Sequence, residues 1–404
     1  MNKWAYLCVA LPMAFGAGGV AAQTGEEVKI GVMTDMNGPD SDLGGPGSVI
    51  AAQLAIDDFG PTVAGRKIVL ISGDHQRKPD VASALSMRWY DNENVDMIVD
   101  IPLSSAALAV QENARSRKKI VVFSAAATSD LTGKACSPTG FHWTYDTKAV
   151  ANGTAAAITK AGGKSWFFLT SDYAFGHALQ RDAESVVKAN GGTVVGNVRH
   201  PVSNLDFSSF LLQAQNSKAQ VIGLANSVND TANSIRQANE FGIQAGGQNV
   251  AALLAFITDI NSLGLQVAKG TRLTESFYWD LNDGTRAWSA RFSKLHNGRA
   301  PTMTQAGVYS AVTHYLKAIA AANSKDGMTV AQKMRDLPVK DFMTDNAKVW
   351  PSGWVERDFY LFEVKTPAES KGPWDYYKLV SKVPAAVAHP AGSDDACPLM
   401  KTGG

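Results

Sequence analysis

The chain has 404 residues, of which 45% are hydrophobic and 19% charged, a composition ordinary for a globular protein and unlike a disordered or fibrous one. A single hydrophobic core stops growing near ~250–300 residues, so we expect more than one domain. The 38 basic and 37 acidic residues give a formal net charge of +1, which offers no basic surface for nucleic acid. Three cysteines without a CxxC pair exclude a zinc ribbon and a thioredoxin-type site.

The N-terminus has the pattern of an export signal. Lys3 precedes an apolar run over residues 4–15, and the small residues that follow end at Val20-Ala21-Ala22. A membrane anchor is the alternative, but it needs ~20 mainly apolar residues and this run is shorter. We therefore expect a signal peptide over residues 1–22 and an exported mature chain.

Export places the remaining cysteines in an oxidising compartment. Cys8 lies within the signal and is lost on cleavage, so Cys136 and Cys397 are the two that remain. We predict a disulfide between them, which would tie the C-terminal tail to the end of the first predicted sheet. Two free thiols are the alternative.

In chain order, the body alternates short apolar, often β-branched runs with segments of helical periodicity. The predicted strands are 28–33, 67–71, 97–101, 120–123, 166–170, 193–198 and 221–225. The predicted helices are 49–59, 81–90, 106–114, 149–161, 178–189, 207–215, 231–241, 286–296, 306–322 and 330–337. Such alternation implies parallel sheets covered by helices on both faces. The series restarts near residue 147, which indicates an α/β fold with two similar lobes.

The tail changes character after the last predicted helix. Residues 359–365 and 374–380 alternate like two antiparallel strands around a turn that contains Pro367, Gly372 and Pro373.

Motifs for catalysis and for nucleotide binding are absent from the sequence. It contains no GxSxG, HExxH or GxGxxG motif, and Gly163-Lys164-Ser165 lacks the upstream glycine of a phosphate loop. The seven histidines show no metal-ligand spacing, and Asp57-Asp58 is expected to be a solvated face near a helix end. We therefore predict no catalytic residue, no metal and no cofactor.

Polar loops follow three predicted strands of the first lobe. They are the glycine-rich loop 35–47, the loop 102–106 with Ser104 and Ser105, and the loop 124–129 with Ala127 and Thr128. Because parallel strands end at one sheet edge, these loops converge there, and helix N–H groups with hydroxyls form a seat for a carboxylate. Helix capping alone is the alternative, since serine and threonine are common caps.

The corresponding loops of the second lobe are less polar. They are 172–176 with Tyr173 and Phe175, 225–227 with Asn226, and 253–256 with Phe256, while Phe277, Tyr278 and Trp279 stand near the expected chain crossing. Core packing is the alternative for these aromatic residues. It is weaker for the tyrosines and for Trp279, which have polar ends and border Gly or Asp.

Several of these motifs, in this order, resemble the solute-binding proteins of ABC importers, of the branched-chain amino acid (leucine-binding) type. The motifs are the loop after the first strand, Ser104-Ser105, the run Ala127 to Thr132, the run Asp172 to Gly176, the run Asp206 to Phe210, and Ala219-Gln220-Val221. The resemblance covers the whole mature chain and implies two Rossmann-like lobes joined by three crossings, with ligand in the cleft between them. It places lobe one at 25–146 with 278–350, and lobe two at 147–277 with 351–404.

The resemblance also implies which residues bind the ligand. In that family the serine turn and the alanine–threonine loop hold a ligand carboxylate, whereas two tyrosines and an acid serve the amino-acid binders. At those last positions this chain has Leu43, Phe175 and the apolar pair Ala255-Phe256, so an ammonium group loses its partners. The expected ligand-binding set is Leu43, Ser104, Ser105, Ala127, Thr128, Tyr173, Phe175, Asn226, Phe256 and Trp279. A register slip that brings Asn226 or Asp259 into the cleft would restore an amino-group site.

These expectations define a periplasmic receptor that takes a small carboxylate, most simply an aromatic acid, and docks to a membrane permease. The runs 136–138, 141–146, 278–280 and 369–377 resemble a subgroup linked to aromatic acids and other small organic compounds. An amino acid or amide receptor is the first alternative, and a sensor domain of the same fold is the second. A secreted α/β enzyme is disfavoured by the missing catalytic motifs.

Overall fold

A computed structural model describes residues 26–401 of the chain. The predicted signal peptide, residues 1–22, lies outside the described residues. None of the helices within 26–401 is long and apolar enough to cross a bilayer.

The first lobe is built on a six-stranded sheet. Its elements are β1 (Glu27–Thr34), α1 (Gly45–Phe59), β2 (Thr62–Val63), β3 (Arg66–Asp74), α2 (Pro79–Asp91), β4 (Met97–Asp100), α3 (Ser104–Ser116), β5 (Ile120–Phe123) and β6 (Gly140–His142). The strand order is β2-β3-β1-β4-β5-β6, and all neighbours are parallel except β2 and β3. Every residue of β4 and β5 is buried, as expected for central strands with helices on both faces.

The second lobe repeats this arrangement on a four-stranded parallel sheet of order β10-β9-β7-β8. Its elements are α4 (Thr147–Val150), α5 (Ala156–Lys160), β7 (Ser165–Ser171), α6 (Ala174–Ala189), β8 (Thr193–His200), α7 (Ser208–Asn216), β9 (Val221–Ala225), α8 (Val228–Glu240), β10 (Asn249–Ala252), α9 (Ile257–Leu263) and α10 (Leu265–Ala268). A π-helical turn, Ala151–Ala155, joins α4 to α5, so the helix predicted at 149–161 is continuous but locally widened.

The remaining elements form a third sheet and a helical layer. They are β11 (Arg272–Glu275), α11 (Asp283–Leu295), α12 (Met303–Ala322), α13 (Gly327–Asp336), β12 (Val339–Asp341), β13 (Thr344–Ala347), β14 (Phe359–Val364), β15 (Tyr377–Val383) and α14 (Ala385–Ala388). The predicted antiparallel tail strands are confirmed as β14 and β15, which extend β11, while β12 pairs with β13.

Local chemistry displaced two of the predicted boundaries. The helix predicted from residue 330 starts at Gly327, because the Asp326 side chain accepts the Thr329 N–H and caps it. The last strand starts at Tyr377 and not at Trp374, whose left-handed backbone (φ 68°) interrupts an extended run. Strands β2, β6, β10, β11, β12 and β13 were not predicted, because each has only two to four residues and none is a four-residue apolar run like 120–123.

Within the described residues and before the C-terminal tail, the chain passes three times between the two sides of the molecule. It leaves the first sheet after β6, returns from β11 to α11 and α12, which pack on α1, and leaves again between residues 355 and 359. The C-terminal tail then comes back to the first lobe. Cys397 is bonded to Cys136, as predicted, and the Thr132 hydroxyl donates to Asp394 at 3.2 Å.

Candidate functional site: the cleft between the lobes

The two lobes meet along the carboxyl ends of their strands. Leu43 and Tyr145 of the first lobe share one buried cluster with Phe175 and Phe256 of the second. The rings of Tyr145 and Phe256 make an edge-to-face contact across the boundary, with centroids 6.0 Å apart. The lobes are therefore in direct contact, and apolar side chains form much of that contact.

The serine turn lies at the start of α3, at the same edge of the first sheet. Ser104 is buried, and its hydroxyl accepts the N–H groups of Ala127 and Thr128, each at 3.3 Å. Thr128 in turn accepts the Asp130 N–H at 3.4 Å and so caps a short 3₁₀ turn. Capping is thus part of the role of both hydroxyls, and it brings together the two loops that the sequence analysis selected. Ser105 is half-buried in the first turn of α3.

The second lobe contributes Tyr173, at the end of the loop between β7 and α6, and Phe175, in the first turn of α6. Their ring centroids lie 5.8 Å apart, and Tyr173 packs against the apolar cluster of the first lobe that contains Leu103. The loop can turn this tightly because residue 176 is glycine, since a Cβ there would come within 2.0 Å of the Ser171 carbonyl oxygen.

Two predicted residues have other surroundings. Asn226 is fully buried inside the second lobe, where its amide donates to Ser234 at 3.1 Å and accepts from Thr231 at 2.8 Å. Trp279 is half-buried and donates to the Trp374 carbonyl at 2.7 Å. With Trp374 and residues of α11, it lines a separate cavity of about 210 Å³. Asn226 is therefore engaged in holding the loop after β9, and Trp279 lies at the contact between α11 and the turn before β15.

The cleft also contains a charged pair that was not predicted from the sequence. Arg77 Nε lies 3.1 Å from Asp40 Oδ2, and the two side chains are only 11% and 4% exposed. The same guanidinium donates through Nη1 to the Ser203 hydroxyl of the second lobe at 2.9 Å. Arg77 lies in the loop after β3, and that loop reaches the same sheet edge as the three loops selected from sequence. Its position after the predicted strand 67–71 was the available signal.

Burial disfavours the negative charge of two carboxyl groups, one in each lobe. It raises the pKa of Asp40 to about 6, against the attraction of Arg77 and with repulsion from Asp35 and Asp100. Burial also raises the pKa of Asp259 to about 7, although the carboxylate accepts the Phe256 N–H at 2.9 Å. Adding another carboxylate close to these acids is therefore costly.

The acidic and histidine side chains of residues 26–401 form no cluster of metal ligands. No group of three or more His, Cys, Asp or Glu side chains there is arranged to hold a metal ion. Asp58 of the Asp57-Asp58 pair binds Arg291 at 2.6 Å and accepts from Tyr309 at 2.7 Å, so it joins α1 to α11 and α12.

Two α/β lobes that face each other across the carboxyl ends of their strands define a receptor that holds a small molecule between them. A family model described as "Periplasmic binding protein" matches residues 27–373. The chain belongs to this family. It is the substrate-binding component of an ABC transporter of the branched-chain amino acid type, with the type I fold, and this class of protein works in the periplasm with membrane permeases.

Solved structures agree with this assignment. A periplasmic binding protein from Burkholderia mallei is 44% identical, with a TM-score of 0.90 over 93% of this chain and 99% of that one. A branched-chain amino acid ABC transporter periplasmic ligand-binding protein from Burkholderia xenovorans is 37% identical, with a TM-score of 0.80 over 90% and 96%. A solute-binding protein from R. palustris in complex with benzoate is 18% identical, with a TM-score of 0.78 over 88% and 96%. A comparison with curated proteins finds no match.

Proposed function

We propose that this receptor binds a small carboxylate with an apolar, aromatic body in the cleft between its lobes and delivers it to the permease. The observation that carries the proposal is the difference in polarity between the two walls of the cleft. The first lobe presents the Ser104 turn at a helix N-terminus, and the second presents Tyr173, Phe175 and Phe256.

The two walls suit the two ends of such a ligand. The first-turn N–H groups of α3 have no partner within the helix, and with hydroxyls they stabilise an anion. The facing rings suit an aromatic body, for which stacking adds ~0.5–1.5 kcal/mol beyond the buried area. The benzoate complex named above has the same fold, so the fold accommodates an acid of this size.

A receptor for leucine-type amino acids is the second candidate, because of Asp259. Asp259 is 5% exposed at the start of α9, next to Phe256. The negative charges of Asp40 and Asp42 add to the effect of burial in raising the pKa of its carboxyl group. An ammonium group beside it would be a suitable partner. Against this, the carboxylate already accepts the Phe256 N–H, and its raised pKa keeps part of the population protonated near neutral pH.

Calorimetric titration of the mature protein with benzoate, 4-hydroxybenzoate and leucine tests the proposal. We expect micromolar binding of the acids and none of leucine, whereas the reverse result overturns the aromatic-acid assignment and establishes the amino-acid receptor. Binding should also bring the two proposed lobes closer together by bending at the hinge between them. Lobe one is proposed to comprise residues 25–146 and 278–350, and lobe two residues 147–277 and 351–404. Small-angle scattering should then show a smaller radius of gyration with ligand, and an unchanged radius would contradict closure.

A further inference from the structure

One side chain joins the lobes at the rim of the cleft. Arg77 of the first lobe contacts Asp40 within its own lobe and donates to the Ser203 hydroxyl of the second. The Ser203 N–H donates to Asp230 Oδ2 at 3.0 Å, and Asp230 is itself buried at the start of α8. A continuous polar chain thus runs from Asp40 through Arg77 and Ser203 to Asp230, and it crosses between the lobes at the Arg77–Ser203 bond.

The backbone on both sides of this bond is strained. Gln76, Arg77 and Ser203 have φ values of 53°, 54° and 61°, in the left-handed region that residues other than glycine seldom adopt. The Arg77 N–H donates to His75 Nδ1 at 3.0 Å, which helps to hold the first of these loops. Such conformations persist where the surroundings over-determine them, and they concentrate at clamps and switch regions.

The charges around Arg77 argue against a direct role in binding the ligand carboxylate. Burial lowers the pKa of the guanidinium, but Asp40, then Tyr173, and then Asp230 raise it, so its pKa is raised on balance. One guanidinium therefore already faces two carboxyl groups. A third carboxylate, from a ligand, would repel both of them. We therefore expect Arg77 to affect binding through the arrangement of the lobes.

We propose that Arg77 is a positioning residue of the cleft, which fixes the closed arrangement of the lobes by joining Asp40 to Ser203. The binding test of this proposal depends on the proposed function, because that function supplies the ligand. Arginine suits this role better than lysine because its planar fork can bond in two directions at once.

The test compares Arg77→Gln, Arg77→Lys and Ser203→Ala with wild type. The control is Arg291→Gln, which removes an Arg–Asp pair that lies entirely between α11 and α1.

With benzoate or 4-hydroxybenzoate as the probe, we expect Arg77→Gln to lower affinity at least tenfold, mainly by faster dissociation. The affinity of Arg77→Lys should fall between those of Arg77→Gln and wild type. The ligand-free melting temperature of Ser203→Ala should change by less than ~3 °C, because the cross-lobe bond forms only on closure. The double variant with Ser203→Ala should lose no more affinity than Arg77→Gln alone.

A second measurement separates this proposal from the identity of the ligand. Spin labels at exposed positions 112 and 209, one in each lobe, report the interlobe distance in the ligand-free protein. We expect a short-distance population in wild type that Arg77→Gln reduces at least threefold and Arg291→Gln leaves unchanged. If none of the probes binds to wild type, the proposed ligand is wrong, and the spin-label distances alone decide the role of Arg77. Affinity within twofold of wild type, additive effects, or unchanged distances in Arg77→Gln would each overturn that role.

Discussion

His389 stacks on Trp354, with ring centroids 4.4 Å apart and planes inclined by 15°. Its two ring nitrogens lie 3.4 Å from Asp146 and 3.0 Å from Asp394, as ion pairs. Asp146 also caps α4, where the chain first leaves the six-stranded sheet. The His389 imidazole thus connects the C-terminal tail to the segment at Asp146, where the chain passes from one lobe to the other.

His389 should make stability fall as the solution becomes basic. Burial lowers the pKa of this imidazole, but the two carboxylates raise it to about 9, above its ordinary 6.5. Its contribution is complete below pH ~6.5 and is lost as pH rises through ~9, with about 3 kcal/mol as an upper figure for the change. His389→Gln should have a lower melting temperature at pH 6 and a flatter profile between pH 6.5 and 9.

Thermal unfolding followed by circular dichroism at pH 6, 7.5 and 9 checks this expectation. His177→Gln is the control, since His177 is an exposed histidine that also faces an aspartate. If wild type and His389→Gln show parallel profiles over this range, the imidazole is not charged in the native protein.

The Cys136–Cys397 bond should be a major source of stability. It closes a loop with a sequence separation of 261 residues, for which the chain-entropy model gives about 5 kcal/mol as an upper bound. The native exported protein should contain no titratable thiol, and Cys136→Ser with Cys397→Ser should melt at a lower temperature. Detection of two thiols in the native protein, or equal melting temperatures, would contradict the prediction.

Ser104→Ala should weaken ligand binding by ~1.5–3 kcal/mol, the usual worth of a hydrogen bond to a charged group. The Ser104 hydroxyl also accepts the N–H groups of Ala127 and Thr128, so its loss should make the proposed carboxylate-binding loop less ordered. The matched control is Ser116→Ala at the other end of α3, where the hydroxyl donates to the Asn113 carbonyl. Calorimetry with the bound acid should separate the two variants, and equal affinities would remove Ser104 from the site.

Asp259→Asn should stabilise the protein above neutral pH. The native pKa of about 7 exceeds the ordinary value, so protonation favours the folded state, and that contribution is lost as pH rises from ~4 through 7. Asparagine keeps an acceptor for the Phe256 N–H without the buried charge. We expect a higher melting temperature than wild type at pH 8 and little difference at pH 5, with exposed Asp57→Asn as control. A lower melting temperature at pH 8 would contradict the raised pKa.

The sequence by itself determined the layered architecture of this protein. Hydrophobic period is a local property, so the strands at 28–33 and 97–101 and the helices between them could be predicted from their residues. The meeting of Ser104 with Ala127 and Thr128 followed as well, because parallel strands end at one edge. The disulfide was predicted from the export signal that the sequence indicates and from the two cysteines outside that signal.

The tertiary structure decided which polar groups are left to face the cleft. Arg77 and Ser203 are 126 positions apart, and no local pattern relates two loops on different lobes. Asn226 looked available in its loop, yet Thr231 and Ser234 engage its amide inside the lobe. Periodicity and residue type specify which face of each helix or strand is buried, because that choice depends on residues close together in the sequence. The pairing of side chains across a cleft depends on how two folded lobes are placed, which only the packed chain fixes.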